Sequence, residues 1–133
     1  MNIHLMDLDV RKGKPGRYLT SFDLVAISRL LGAPVTWCYV NTMGSGVVSG
    51  NHWHRAKSEL FVCVSGVIGV YLAHPKTGYR GEHTLVVSDK PQGLIVPKGI
   101  AHVVKNRGEK FADLLVFATG EPRGGDDVDY VVI

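Results

Sequence analysis

An all-β domain, a sandwich or barrel with the double-sheet jelly roll among the options, is what this sequence predicts. Three observations lead there. Short runs of β-branched and apolar residues recur along the whole chain, with glycine- and proline-bearing turns between them. Apolar spacing of the helical kind is almost absent. At 133 residues the chain has the length of one domain with one core, so residues 1–133 are read as a single unit.

The elements follow in order. Residues 3–8 read as a first strand and 12–16 as a loop. Residues 18–27 mix β-branched and apolar side chains and read as a strand; 28–32 make one helical turn closed by Gly32. A strand over 35–41 precedes a turn at 43–46. Strands over 47–54, 59–65 and 67–73 follow, the last ended by a loop at 74–78. Further strands cover 82–87, 94–96, 101–105, 113–118 and 128–132, with residues 120–125 as a flexible link before the last. Strand 59–65 is apolar on both faces: with Glu59, Phe61, Cys63 and Ser65 turned inward, Leu60, Val62 and Val64 need a cover, either a second sheet or a partner subunit. Trp53 alternates away from its histidine neighbours, toward core or interface.

Composition narrows the classes of function. Hydrophobic residues make up 45% and charged residues 20%, ordinary for a globular protein. No apolar run approaches the roughly 18 residues of a membrane span. The first residues lack the basic start and apolar centre of a signal peptide, so a cytoplasmic location is expected. In that setting Cys38 and Cys63, both inside apolar runs, are expected to be buried reduced thiols. The net charge is +3, with Arg11, Lys12, Lys14 and Arg17 in one short segment and Asp126, Asp127 and Asp129 offsetting them. That is not the broad basic face of a nucleic-acid binder.

The chemistry concentrates in two segments. His52 and His54, one residue apart, share a face of their strand because side chains alternate with period two. Glu59 follows after a short polar break and can return on a neighbouring strand. His102, framed by Pro97 and Gly99, can come from a distant one. Three imidazoles and a carboxylate gathered in a barrel suit a borderline divalent metal: zinc, manganese, iron or nickel.

These segments resemble the paired signatures of the cupins. The first, Gly-x5-His-x-His-x4-Glu-x6-Gly, is met by Gly46, His52, His54, Glu59 and Gly66; the second, Pro-x-Gly-x2-His-x3-Asn, by Pro97, Gly99, His102 and Asn106. At roughly 5% per residue type, nine fixed positions coincide by chance about once in 10^11 or rarer, so the match is no accident. The resemblance implies a double-stranded β-helix, the jelly-roll barrel of the cupin type, and a metal quartet of His52, His54, Glu59 and His102. It also favours a homodimer.

Within that superfamily, Gly50-Asn51-His52-Trp53-His54, Val64-Ser65-Gly66 and Asp127-Val128-Asp129-Tyr130 look like cupins of surface-polysaccharide biosynthesis. Those act on nucleotide-linked 4-keto sugars as epimerases or ketoisomerases. Ser49-Gly50 stands where small ketoisomerases usually carry Arg-Gly, and Glu59 is a carboxylate they tend to lose. The resemblance implies proton removal next to a ketone, with a metal polarising the keto oxygen and Tyr39 or Tyr130 as acid. In a metal-free site His52 or His54 becomes the base. Arg17, Arg55 and Arg80 are the candidates to hold the diphosphate of the small-molecule substrate. Two other classes stay open: iron-dependent oxygenation, and a non-enzymatic barrel that binds a small ligand.

Overall fold

The computed structural model describes residues 2–122 and 125–133. In chain order it comprises β1 (His4–Asp7), β2 (Asp9–Lys12), β3 (Tyr18–Ser21), α1 (Leu24–Leu31), β4 (Trp37–Met43), β5 (Val48–His54) and β6 (Glu59–Ser65). Then come β7 (Val67–Ala73), β8 (Arg80–Val86), β9 (Gln92–Val96), β10 (Ala101–Asn106), β11 (Ala112–Ala118) and β12 (Asp127–Asp129). Two five-stranded antiparallel sheets, ordered β1-β9-β6-β11-β4 and β12-β5-β10-β7-β8, form the jelly roll. Their facing sides share one core: Phe61, Leu94, Leu114 and Val116 from the first sheet meet Ile68, Val70, Leu72 and Val104 from the second. This is the cupin-type barrel that the motifs imply. No helix among the described residues is long and apolar enough to cross a membrane.

The expected strand over 18–27 is corrected. β3 stops at Ser21, and an eight-residue helix runs from Leu24 to Leu31. Asp23 caps it, its Oδ1 accepting from the backbone N–H groups of Val25 and Ala26 at 3.1 Å each. Ile27 and Leu31, four residues apart, supply its buried stripe, and Gly32 at φ 76° ends it. Local capping and i,i+4 spacing override the β-branched composition. β2 is a further strand the sequence did not reveal; it pairs with β3 as a hairpin.

That helix answers the question posed by β6. Leu60 and Val62, on the outer side, pack with Leu8, Ile27, Leu31, Ile95 and Phe117. The cover of these two residues is therefore α1 and the N-terminal segment at Leu8 rather than the second sheet, while Val64 stays 45% exposed. Cys63 is buried as expected, whereas Cys38 is exposed, because alternation on edge strand β4 turns it outward; both thiols are free. Of the expected link over 120–125, positions 123 and 124 lie outside the described residues.

One irregularity positions the site. Between β5 and β10, His102 faces His52 but Val103 faces Gly50, so Asn51 is an extra residue in a β-bulge at φ 63°. A strand without it would keep strict alternation; the bulge lets Ser49 and His52 both turn inward. Gly50 sits at φ 122°, where an added Cβ would lie 2.7 Å from the His102 carbonyl oxygen, so only glycine fits. Gly66, between β6 and β7, is similarly required, since a Cβ there would meet that of Ala112 at 2.6 Å.

Candidate active site

β5 carries His52 and His54, β10 carries His102, β6 carries Glu59, β4 carries Tyr39, and β12 lays Asp127 across from His54. The three imidazole rings form a tight triangle, with centroids 4.7, 4.9 and 5.1 Å apart. Each offers a nitrogen within 4.8 Å of the others. The structure thus brings together the three expected histidines, and Glu59 lies against two of them. His54 Nε2 is 3.0 Å and His102 Nε2 3.4 Å from Glu59 Oε1. Tyr39 joins as well, its hydroxyl donating to Glu59 Oε2 at 3.0 Å.

Proton placement follows from the neighbours. His102 Nδ1 lies 3.0 Å from the Ile100 carbonyl, which can only accept, so Nδ1 carries the hydrogen and Nε2 a lone pair. Burial pushes the His102 pKa down to about 4, keeping that ring neutral. His52 is also lowered, by burial and by His54, against the pull of Asp127. For His54 burial acts downward but the adjacent Glu59 carboxylate outweighs it, so its pKa is raised. Glu59 is lowered: burial would raise it, but His54, His102 and Tyr39 together favour the carboxylate. Tyr39 is held far above its ordinary value by burial and by the Glu59 charge, so it keeps its proton.

Three buried side-chain atoms among the described residues complete no hydrogen bond: His54 Nδ1, Glu59 Oε1 and Asp126 Oδ1. All three surround His54. The two imidazole contacts of Glu59 Oε1 complete no hydrogen bond, so Oε1 is an orphan acceptor. A carboxylate oxygen opposed by a lone-pair nitrogen is repulsive unless a cation stands between them. With nitrogen and oxygen donors only, the cluster fits a borderline divalent ion.

The cluster opens into a cavity of about 80 Å³ lined by Tyr39, Asn41, Ser49, His52, Lys57 and Asp127, over an apolar floor of Phe61, Leu114 and Val116. Sequence reasoning missed Lys57, Asp126 and Asp127 as site residues. Lys57 is 3% exposed; its Nζ donates to the Glu121 carbonyl at 2.8 Å and lies 3.4 Å from Asp126 Oδ1. His54, Asp126 and Asp127 form a second acidic grouping, but the Lys57 ammonium already stands beside it as its cation. The two aspartates read as charge balance in the sequence. The signal that reveals Asp127 is strand register, which sets it opposite His54.

Four expected site residues do not line the cavity. Tyr130 lies on the outer face, packed with Trp53 and Tyr71 against Val132, Ala101 and Val103, because β12 places it on the Trp53 side. Arg80 pairs with Ala73 on the outward face of β7, and its guanidinium donates to the Val132 carbonyl at 3.0 Å. Arg17 is exposed in the loop before β3, its backbone N–H bonded to Lys14. Arg55 is exposed just beyond His54, its backbone N–H bonded to Asp126, and does not line the cavity.

A family model described as polysaccharide biosynthesis C-terminal domain matches residues 32–121. No curated protein sequence matches the chain. Among solved structures, it is similar to QdtA, a sugar 3,4-ketoisomerase from Thermoanaerobacterium thermosaccharolyticum solved with TDP. There the TM-score is 0.78 and the identity 20%, covering 96% of this chain and 87% of that one. It is also similar to NovW, a 4-keto-6-deoxy sugar epimerase from the novobiocin cluster of Streptomyces spheroides. That match has a TM-score of 0.77 and 14% identity, over 96% of this chain and 68% of the other. A third similarity is to CapF, a capsular polysaccharide assembling protein of Staphylococcus aureus, with TM-score 0.67 and 24% identity. It covers 94% of this chain but only 33% of that one. At these identities the likeness is one of fold.

Proposed function

We propose, from the fact that the chain belongs to the polysaccharide biosynthesis C-terminal domain family, that it is an epimerase or isomerase of a nucleotide-linked 4-keto sugar with a divalent-metal site. The observation that carries the metal part is Glu59 Oε1, a buried acceptor facing two imidazole nitrogens without a completed hydrogen bond. His52, His54, Glu59 and His102 would hold the ion. When bound, a divalent ion supplies Lewis acidity to a keto oxygen. The solved structures of QdtA with TDP and, in a mutant, with TDP-4-keto-6-deoxyglucose support the substrate class.

The protein's own residues then divide the work. Without the ion, His52 is the base: it lines the cavity, its side chain is 26% exposed, and burial keeps the ring neutral and able to take a proton from carbon, a role its lone pair gives up when it holds a metal. Tyr39 is the acid, its hydroxyl kept protonated beside the cavity by burial and Glu59. Phe61, Leu114 and Val116 exclude water beneath the reacting carbon. Among the described residues, the cation that lines the cavity is Lys57, and it is engaged by two carbonyls and Asp126. The sugar end enters and the diphosphate stays at the mouth, where Arg55 follows His54 along the chain. A homodimer accompanies this reading, supported by the unpaired edge of β4 with Trp37 and Val40 exposed at 45% and 55%; light scattering behind a sizing column tests it.

The decisive experiment incubates metal-loaded protein with nucleotide-linked 4-keto-hexoses in deuterated water. Deuterium appearing on the carbon beside the ketone, followed by proton NMR, is the expected result. Absence of label across several such sugars overturns the reading, and oxygen uptake on ferrous loading would replace it with oxygenation.

A further inference from the structure

We propose that Asp127 is the positioning residue of this site: it accepts the Nδ1 proton of His54 and so fixes the tautomer whose Nε2 lone pair faces Glu59. The metal half of this proposal rests on the function proposed above; the tautomer half stands on geometry alone.

His54 can satisfy itself in two ways. With its hydrogen on Nε2, it donates to Glu59 Oε1 across the 3.0 Å already present. That arrangement pairs the orphan oxygen and uses up the lone pair a cation needs. With its hydrogen on Nδ1, the lone pair points at the same spot as that of His102, and both nitrogens join Glu59 around one point. The choice is made on the far side of the ring.

On that side, Nδ1 is buried and completes no hydrogen bond, with Asp127 Oδ1 at 2.7 Å and Asp126 Oδ1 at 3.5 Å. Asp126 is committed elsewhere. Its Oδ2 accepts from the Ala56 and Lys57 amides at 3.2 and 3.1 Å, and its Oδ1 faces Lys57 Nζ at 3.4 Å. The Asp127 carboxylate completes no side-chain hydrogen bond among the described residues; its other contacts are His52 Nδ1 at 3.8 Å and Lys57 Nζ at 3.9 Å. It is the carboxylate available to His54, at hydrogen-bond length from Nδ1. The same job at His102 falls to the Ile100 carbonyl. A carboxylate behind an imidazole also makes it a stronger donor to a metal than a carbonyl does.

The chain holds Asp127 in place from both sides. The Asp126 carbonyl accepts from the Arg55 amide at 3.0 Å, and the Tyr130 amide donates to the Asn51 carbonyl at 2.9 Å. The Asn51 side chain in turn accepts from the Val132 amide at 2.8 Å. The bulge residue that turns His52 inward thus also docks the strand that serves His54.

The test compares wild type with Asp127→Asn and, as control, Asp129→Asn. In metal-free, nitrogen-15-labelled protein at pH 8, long-range proton–nitrogen NMR reads the His54 tautomer directly. The expected result is hydrogen on Nδ1 in wild type and in Asp129→Asn, shifting to Nε2 in Asp127→Asn. Optical titration with cobalt(II) should show Kd raised about 10- to 100-fold by Asp127→Asn and unchanged by Asp129→Asn. Hydrogen on Nε2 in wild type overturns the proposal without any variant. An unchanged tautomer with cobalt affinity within twofold in Asp127→Asn overturns it too. If wild type takes up no cobalt, the metal reading falls, while the tautomer result still decides the role of Asp127.

Discussion

Glu59 Oε1 and His102 Nε2 face each other across 3.4 Å, and neither brings a hydrogen. The nitrogen's proton is on the other side of its ring, and the carboxylate is held ionised by its histidine neighbours and Tyr39. Two electron-rich atoms at that separation inside a barrel store a repulsion that an ion relieves.

Metal binding should therefore stabilise the fold. For chelator-stripped protein, a divalent ion at 100 times its Kd adds about 2.7 kcal/mol, which for a domain of this size raises Tm on the order of 10 °C. Glu59→Gln removes the charge but keeps the shape, and should lose most of that rise. Scanning calorimetry with and without zinc or manganese checks both.

Tyr39→Phe separates acid from scaffold. Losing a hydrogen bond to a charged carboxylate should cost about 2 kcal/mol, read as a urea midpoint shift. If Tyr39 delivers a proton, turnover in the deuterium-exchange assay falls about 10²- to 10⁴-fold with KM nearly unchanged. A fall confined to KM would remove Tyr39 from the chemistry.

The pH dependence of stability carries the signature of His102. Its pKa is 6.5 in the unfolded chain and about 4 in the folded protein, so the unfolded state binds the proton first. The stability this burial preserves is present above pH 6.5 and is lost as pH falls toward 4, a difference of about 3 kcal/mol. His54 acts with the opposite sign, its raised pKa favouring the folded state below 6.5 and the benefit disappearing as pH rises. Metal-free wild type and His102→Asn, compared by urea unfolding at pH 7.5 and 4.5, isolate the first effect. The gap between them should close or reverse at the lower pH.

Lys57→Met keeps the buried stem and deletes the ammonium. Asp126 is then left beside His54 without its cation, and two backbone carbonyls lose a donor. Destabilisation of about 3 kcal/mol is expected, and Lys57→Met with Asp126→Asn should recover part of it. Chemical denaturation of the two variants gives the coupling.

Much of this was legible in the residues. His52 and His54 share a face by alternation, and the framed His102 announces its strand, so the triangle of rings could be anticipated without coordinates. What escaped depended on long-range register. Asp127 sits 73 positions after His54 in the sequence, and nothing local says that β12 lies on β5. Tyr130 misled for the same reason: parity counted along an isolated strand does not reveal which face its neighbour presents. The helix was hidden because Val25 and Ile27 resemble strand residues, and the capping by Asp23 became persuasive only beside Ile27 and Leu31 as a stripe. The bulge at Asn51 is a break in periodicity, invisible to any argument that assumes periodicity.

β6 is the middle strand of its sheet, roofed by α1 on one side and packed into the barrel on the other. A carboxylate mounted there has no freedom to swing out and fetch anything. Whatever Glu59 holds must travel to it, and adaptation to different guests falls to the rim, where strands end and side chains still turn.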